Sequence, residues 1–380
     1  MAIYIVESKL DKLKTLKNIL RAEHEDTYYV SLNSLLVQSG PSRIKPKSII
    51  VYKGEYNDST MEMVKDCCRK FHVPLLAIVS KKSFREVKLP LDEDLLLDVV
   101  TDPTENELLL RVNLLLKYQR EMYKRIDKEK ELEGALNHIT EELEFAKKIQ
   151  QLVLPREFSE PHIKFNAIYE PSAQLSGDLY FWIKISPYEY GFILIDVSGH
   201  GVHASLVSMA MRSLFPGLLK RVKEPKVIAK ELNQHMLTMF EKFSDHNRYV
   251  TSYFTAIIIT INTEEKTLSY VNAGHQPGFL LEGNKNRDLE SSMIPIGLID
   301  NPRIESETIK YETPAKLLLF TDGLTEVPYS IHVNRLDKVK KDFIALADNE
   351  ENFMLQKLVS DRKNDSKVFD DICAVAITLN

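Results

Sequence analysis

Aspartates stand at the edges of apolar runs at four places in the C-terminal part of this 380-residue sequence. Asp178 lies in LSGDLYF, Asp196 in LIDVSG and Asp322 in LFTDGL, and Asp370 begins the acidic pair of FDDICAV. A single aspartate at a strand end is usually a turn former or a helix N-cap, and that alternative applies to each one alone. Four strand ends of one sheet system can converge, however, and converging carboxylates raise one another's pKa unless a cation neutralises them.

Four oxygen ligands favour a hard divalent cation. Carboxylates select Mg²⁺ or Mn²⁺, whereas zinc prefers cysteine and histidine. Glycine accompanies three of the aspartates: Gly177 precedes the first, Gly199 lies three residues after the second, and Gly323 follows the third. Because glycine lets the backbone approach a ligand closely, the pattern predicts a two-metal carboxylate site.

Histidine and serine chemistry competes with this interpretation. His200 and His203 have an H-x-x-H spacing, but a zinc site would need further histidines or cysteines nearby. Ser198 lies in DVSGH rather than in the G-x-S-x-G of a hydrolase elbow. The GxxxxGK pattern of a phosphate-binding loop is absent from the sequence. The carboxylates therefore remain the predicted reactive centre, with His200 beside it.

The ordered motifs SGD, DVSGHG, NAGH, TDGLTE and DDI resemble those of PPM-type metal-dependent serine/threonine phosphatases. The lead-in AKKIQQLVLP, followed by YEPSAQLSGDLY, resembles more narrowly the bacterial SpoIIE/RsbU branch of these enzymes. The resemblance covers about residues 145–380. It implies a hydrolase with two Mn²⁺ or Mg²⁺ ions, whose bridging hydroxide attacks the phosphorus of a phosphomonoester in line.

The resemblance also assigns roles. It implies that Asp178, Asp196, Asp322 and Asp370 are catalytic metal ligands, that Asp196 bridges both ions, and that the carbonyl of Val197 is a further ligand. The residues that it implies around the ligands or in the pocket are Gly177, Gly199, His200, Gly201, Asn272, His275, Gly323 and Asp371. Ser176 stands where the family often has a second glycine, and Phe181 where it often has an acidic residue. Neither departure removes a ligand.

Residues 154–380 are predicted to form a domain in which strands and helices cluster separately. Candidate strands include YGFILIDV, TAIIITIN, LLLFTD and ICAVAITL, with helical stretches such as VHASLVSMAMRSLF between them. This arrangement favours an α/β/α-layered sandwich with largely antiparallel sheets. The resemblance identifies it as a PPM-type phosphatase β-sandwich.

Residues 1–118 alternate short apolar runs with helical stretches, which predicts a doubly wound parallel sheet. The closing run LLLDVVTDPTENELLLRVNLLLKYQ resembles the end of a response-regulator receiver domain. The acceptor chemistry of that family is missing, although Ser80 keeps its hydroxyl-bearing position. The departures are Glu7 and Ser8 at the acidic pair, Tyr52 or Lys53 at the phosphoacceptor, and Asp102 in place of lysine before Pro103. The resemblance therefore implies a degenerate receiver-like domain that binds a protein regulator or dimerises.

A helical linker is predicted over 119–153, where the sequence is dense in Glu, Lys and Leu. Gln150 interrupts its pattern late in the segment. One explanation is a solvated helix that packs one stripe on its own domain; the other, which we favour, is a parallel coiled coil joining two subunits into a homodimer. The apolar or small residues with heptad spacing are Leu132, Leu136, Ile139, Leu143, Ala146 and Val153.

Bulk composition excludes several classes of function. With 50 Lys and Arg against 55 Asp and Glu, the net charge of −5 predicts neither a nucleic-acid nor a membrane partner. Three cysteines form no disulfide framework, the N-terminus lacks a signal-peptide pattern, and no run approaches the ~18 apolar residues of a membrane span. These features predict a cytoplasmic protein.

Together, the motifs predict a protein serine/threonine phosphatase in bacterial signalling by partner switching. In the branch that the sequence resembles, the substrate is typically a phosphorylated anti-anti-sigma (STAS) protein, and an N-terminal sensor acts through the helical linker. One alternative is a catalytically decayed scaffold with the same fold. A third is a phosphohydrolase acting on a small molecule.

Overall fold

The computed structural model describes residues 3–6, 27–30, 48–52, 58–79, 96–241, 252–325, 335–365 and 370–380. The chain divides into two compact units, Met1–Asn137 and His138–Asn380. One of the helical stretches predicted within residues 1–118, LDKLKTLKNILRAE at 10–23, lies outside the described residues, as do Glu7, Ser8, Lys53 and Ser80.

The first unit contains a five-stranded parallel sheet. Its strands are β1 (Ile3–Val6), β2 (Thr27–Val30), β3 (Ser48–Tyr52), β4 (Leu75–Val79) and β5 (Leu97–Thr101), in the order β2-β1-β3-β4-β5. Helix α1 (Asp58–Phe71) packs on one face, and the first turns of α2 (Glu105–Leu152) pack on the other. Successive β4 side chains therefore enter different cores, which explains why this strand is apolar throughout. The parallel sheet has the predicted layout, and its identity as a receiver-like domain stays a prediction.

Helix α2 runs unbroken for 48 residues. The predicted last helix of the first domain and the predicted linker are therefore one helix, because no proline interrupts it and its single glycine, Gly134, costs only about 1 kcal/mol. Three residues of the predicted heptad stripe are exposed: Leu132 by 61%, Leu136 by 54% and Ile139 by 56%.

The second unit is built on two antiparallel sheets. The first has the order β14-β11-β10-β9-β8, and the second has the order β13-β12-β15-β16-β7-β6. Strands of the first sheet are β8 (Leu179–Lys184), β9 (Glu189–Val197), β10 (Phe254–Asn262), β11 (Thr267–Ala273) and β14 (Glu307–Lys310). Strands of the second are β6 (Phe158–Glu160), β7 (Ile163–Glu170), β12 (Gly278–Glu282), β13 (Lys285–Leu289), β15 (Ala315–Phe320) and β16 (Ile372–Leu379).

The two sheets pack face to face, and helices cover both outer faces. Phe165, Trp182 and Phe192 belong to the core between the sheets. The outer face of the first sheet packs on α3 (Val202–Arg212), α4 (Phe215–Arg221) and α5 (Pro225–Glu241), and that of the second on α6 (Arg335–Leu346) and α7 (Glu351–Asp365). The middle of the predicted α/β/α arrangement is thus a pair of sheets, which makes four layers.

The predicted helix VHASLVSMAMRSLF is divided between α3 and α4. By length and mean hydropathy alone, the stretch Val202–Arg221 is the one described segment that could cross a membrane. It is two helices, however, and Val207, Met211 and Phe215 lie in the core beneath the first sheet. Its apolar character is explained by packing within the unit.

Candidate metal and active site

Antiparallel pairing places two of the aspartates at one edge of the first sheet. Leu179, the first residue of β8, pairs with Ile195 near the end of β9. Asp178 therefore precedes one strand at the place where Asp196, the second-last residue of β9, lies in the neighbouring strand. Asp196 also pairs in register with Thr255 of β10. The hairpin brings together two carboxylates that are 18 positions apart in the sequence.

The second sheet repeats this arrangement. Phe320, the last residue of β15, pairs with Ala374 near the start of β16. Asp322 follows the first of these strands and begins a short 3₁₀ turn, whereas Asp370 and Asp371 precede the second. Each sheet thus contributes the end of one strand and the beginning of another to a common edge.

Hydrogen bonds join the two edges. The buried hydroxyl of Thr321 donates to Asp178 Oδ2 over 2.6 Å, and the backbone N–H of Gly177 donates to Asp371 Oδ2 over 2.9 Å. Asp371 Oδ1 accepts from the N–H and the hydroxyl of Ser172, at 2.7 and 2.9 Å. Both oxygens of Asp371 are therefore engaged in holding loops together beside the predicted metal ligands.

The S-G-D turn is held at each of its backbone N–H groups. Ser176, at the position where the family often has glycine, accepts the N–H of Asp178 on its hydroxyl over 3.0 Å. The hydroxyl of Tyr169 donates to the Asp178 carbonyl over 3.3 Å. The side chain of Gln150 pairs with both backbone groups of Ser176. The departure at Ser176 thus adds a hydrogen bond that glycine could not make.

Burial and mutual repulsion make the carboxylates weak acids. Burial raises the pKa of Asp196 to about 8, and the charges of Asp322, Asp370 and Asp371 act in the same direction. Burial raises the pKa of Asp178 well above its ordinary value, with the charge of Asp196 as the next cause. Burial also raises the pKa of Asp370, and the hydrogen bond that Asp370 Oδ1 accepts from the Asp371 N–H acts against this rise. Buried carboxylates of like charge stay ionised together only beside a positive charge.

Two glycines permit close approach of the strands. A Cβ at Gly323 would lie 1.9 Å from the carbonyl oxygen of Asp371, and a Cβ at Gly177 would lie 3.1 Å from that of Val197. In the loop between β9 and α3, Gly199 and Gly201 have φ of 89° and 81°, which other residues rarely adopt. The GHG turn therefore depends on both of its glycines.

The other residues implied by the motifs occupy different environments. Asn272 is fully buried, and its amide oxygen accepts the N–H of His275 over 2.8 Å, so it shapes the NAGH turn. His275 is 6% exposed and bonds through Nδ1 to the hydroxyl of Thr255 over 2.7 Å. Burial lowers the pKa of His275 to about 4, so the ring is neutral at pH 7. His200 is exposed.

The donor set fits a hard divalent cation, because its side chains are carboxylates whose charges oppose one another. Among the described residues, no group of three or more His, Cys, Asp or Glu side chains stands in an arrangement that could hold a metal ion as it is. The structure thus brings the predicted ligands to one edge, and their roles as ligands stay predictions.

Sequence reasoning assigned no role to four residues that hold the site. Thr321 stands inside the TDG motif, and Gln150 interrupts an apolar pattern, so both could have been identified from the sequence. Ser172 and Tyr169 stand in the YEPSAQLSGDLY stretch, but the stretch did not reveal their roles, because the hydrogen bonds that they make depend on tertiary contacts.

Comparison with known proteins identifies related chains. The sequence model of the family described as Stage II sporulation protein E (SpoIIE) matches residues 186–380. The chain is 30% identical over 237 residues to phosphoserine phosphatase RsbP of Bacillus subtilis (strain 168), which is 62% of this chain and 57% of that protein. It is 27% identical over 198 residues to phosphoserine phosphatase RsbU of the same organism, which is 51% of this chain and 56% of that protein. The chain thus matches little more than half the length of these relatives.

A solved structure supports the fold of the second unit. The SiaA-PP2C domain of Pseudomonas aeruginosa superposes with a TM-score of 0.54 at 18% sequence identity, covering 65% of this chain and 99% of that one. At this identity the likeness concerns the fold alone.

Proposed function

The chain belongs to the Stage II sporulation protein E (SpoIIE) family, and from that premise we propose that its second unit is a metal-dependent protein serine/threonine phosphatase. The observation that carries this proposal is the meeting of aspartates from both sheets at one edge of the sandwich. The raised pKa values of Asp178, Asp196 and Asp370 support it, because buried carboxylates of like charge require cations to remain ionised together.

We assign the metal-binding roles to Asp178, Asp196, Asp322 and Asp370, with Asp196 shared between two ions and the carbonyl of Val197 as a further ligand. Mn²⁺ or Mg²⁺ held there would supply Lewis-acid activation of water and stabilise the charge that develops on a phosphoryl group. Thr321 orients Asp178 through its hydroxyl, and Asp371 anchors the adjoining loops through Gly177 and Ser172.

The proposed substrate is a phosphoserine or phosphothreonine on a regulatory protein. The names of RsbP and RsbU, both phosphoserine phosphatases, support a phosphoserine substrate. The resemblance to the SpoIIE/RsbU branch supports an anti-anti-sigma (STAS) protein as the carrier of that phosphate and a role in partner switching. We place the reaction in the cytoplasm, in keeping with three free cysteines, Cys67, Cys68 and Cys373.

The first unit and helix α2 form the regulatory part of the proposal. The first unit, which lacks the receiver's acceptor aspartate, would bind an upstream protein regulator. The exposed residues Leu132, Leu136 and Ile139 on α2 support a homodimer formed through this helix, because a coiled coil would bury them against a second copy.

Substitution of two ligands tests the activity. The purified full chain is expected to hydrolyse p-nitrophenyl phosphate and a phosphoserine peptide with Mn²⁺, and to lose this activity in EDTA. Asp196→Ala and Asp322→Ala are each expected to reduce the rate to background, whereas Asp348→Ala, at an exposed position of the same unit, is expected to keep it. Full activity in both ligand variants would contradict the two-metal site. Inactivity of the wild-type chain with both Mn²⁺ and Mg²⁺ would instead favour the decayed scaffold.

A further inference from the structure

Gln150, in the last turn of α2, is a polar residue and the one buried residue of this helix between positions 120 and 152. It is 2% exposed, whereas Ile149 is 43% exposed and Leu152 is 82% exposed. A buried amide is costly unless its donor and acceptor are both satisfied. The side chain of Gln150 must therefore have hydrogen-bond partners within the protein, because water does not reach it.

The partner is the backbone of Ser176. Gln150 Nε2 donates to the Ser176 carbonyl over 2.7 Å, and the Ser176 N–H donates to Gln150 Oε1 over 3.1 Å. Since Ser176 is fully buried, these bonds satisfy backbone groups that water cannot reach. The side-chain amide of Gln150 thus makes the two hydrogen bonds with Ser176 that the backbone of a paired strand would make.

Ser176 lies two residues before Asp178, and its hydroxyl accepts the N–H of that aspartate. The other described bonds to the S-G-D turn come from the sandwich itself, from Tyr169 on β7, from Thr321 after β15 and from Asp371 before β16. Among these described contacts, Gln150 is the one that ties the turn to α2.

A second connection fixes the same end of the helix. Arg212, the last residue of α3, donates from Nη2 to the carbonyl of Val153 over 3.0 Å, and its guanidinium lies 3.9 Å from the ring centroid of Phe181. Helix α3 begins directly after the GHG loop that follows Asp196. The end of α2 is thus bonded to the turn that precedes Asp178 and to the last residue of the helix that follows the GHG loop.

We propose that Gln150 is a positioning residue for the metal site: by holding both backbone groups of Ser176, it fixes the S-G-D turn and with it the carboxylate of Asp178. This inference rests on the proposed function in its reference to metal binding. It makes the last turn of α2 part of the site, so that a displacement of this turn displaces a ligand.

The test compares Gln150→Met with Gln151→Met in the full chain. Methionine preserves the length and the apolar packing of glutamine but removes both hydrogen bonds, and Gln151 is the exposed neighbour on the same helix. Hydrogen–deuterium exchange over 172–180 and calorimetric titration with Mn²⁺ are the readouts. For Gln150→Met we expect exchange at the Ser176 amide to be faster and the Mn²⁺ affinity to be lower, each by about tenfold, with the melting temperature within a few degrees of the wild type. Gln151→Met should match the wild type in all three.

Gln150→Glu provides a second, graded variant. Its carboxylate still accepts the Ser176 N–H but cannot donate to the Ser176 carbonyl, so exchange and affinity should lie between those of the wild type and of Gln150→Met. Exchange in both variants equal to that of the wild type would overturn the inference, as would unchanged Mn²⁺ affinity despite faster exchange. A wild-type chain that binds no Mn²⁺ would refute the proposed function instead, while the exchange comparison would still decide whether Gln150 holds the turn.

Discussion

At the scale of single residues, the site is defined by acids held where their charges oppose one another. Asp178 is buried and bonded to Thr321, and Asp196 lies beside it at the end of a neighbouring strand. The cost of ionising such a pair without a cation is a property of the folded chain alone, because the unfolded chain solvates each carboxylate separately. The pH dependence of stability therefore reports on the site.

We expect the metal-free chain to lose stability as the pH rises from about 4 to about 8. The pKa of Asp196 is about 8 in the folded chain, whereas an unperturbed aspartate has a pKa of about 3.9. Between these values the folded chain binds more protons than the unfolded chain, so the free energy of unfolding falls with increasing pH. One such group contributes at most about 1.4 kcal/mol per pH unit.

Thermal unfolding in EDTA at pH 6, 7 and 8 measures this effect. In Asp196→Asn the ionisable group is gone, so the melting temperature should fall less with pH than in the wild type. Adding Mn²⁺ at pH 8 should raise the melting temperature of the wild type and have a smaller effect on Asp196→Asn. Equal pH slopes in the two EDTA series would contradict the raised pKa of Asp196.

At the scale of elements, antiparallel pairing does most of the positioning. Each sheet pairs the end of one strand with the beginning of another, so a carboxylate before β8 meets one near the end of β9. The same rule places Asp322 and Asp370 at the common edge of β15 and β16. At the edge of the second sheet, the segments before β16 and after β15 approach so closely that Gly323 has no room for a side chain.

Gly323→Ala tests how tightly the second sheet's edge is packed. A Cβ there would lie 1.9 Å from the Asp371 carbonyl oxygen, which is backbone and cannot move without shifting the start of β16. We expect a loss of stability of about 1–3 kcal/mol, together with loss of phosphatase activity. Chemical denaturation followed by circular dichroism measures the first effect.

Gly217→Ala is the matched control. Gly217 lies in α4, and nothing lies within 4 Å of the Cβ that the substitution adds. Alanine is favoured over glycine in a helix by up to about 1 kcal/mol, so this variant should be as stable as the wild type or more so. A Gly323→Ala chain with wild-type stability would mean that the two segments are less closely packed than described.

At the scale of the whole molecule, the 48-residue helix α2 is the element that both units share. Its exposed residues Leu132, Leu136 and Ile139 recur with heptad spacing, which is the pattern of a coiled-coil seam. The proposed homodimer gives this stripe a partner.

Light scattering at micromolar concentration should give twice the mass of the chain. Leu136→Lys places a charge in the stripe and removes an apolar side chain whose burial contributes about 1.5–3 kcal/mol. The dissociation constant of the dimer should therefore rise at least about tenfold. Asn137→Lys changes the neighbouring exposed residue, off the stripe, and should leave the dimer intact. A monomeric wild-type chain would show that the coiled-coil dimer is wrong.

The sequence by itself predicted many of the elements and the residues of the candidate site. Apolar runs such as YGFILIDV and ICAVAITL predicted β9 and β16, because a strand buried on both faces must be apolar throughout. The aspartates at their ends marked the candidate ligands, and the order of the motifs predicted the family. All of these are local patterns, readable along the chain.

Only the tertiary structure decided which groups surround those ligands. The hydrogen bonds of Ser172 with Asp371 and of Tyr169 with Asp178, and the packing of Arg212 on Phe181, join elements whose relative placement no local pattern specifies. Gln150 shows the limit most clearly. The sequence shows it as a break in a heptad, whereas the fold shows a buried amide satisfied by the backbone beside Asp178. The periodicity of a helix predicts the face on which a side chain lies. The partner of that side chain depends on which other segment packs against that face in the folded chain.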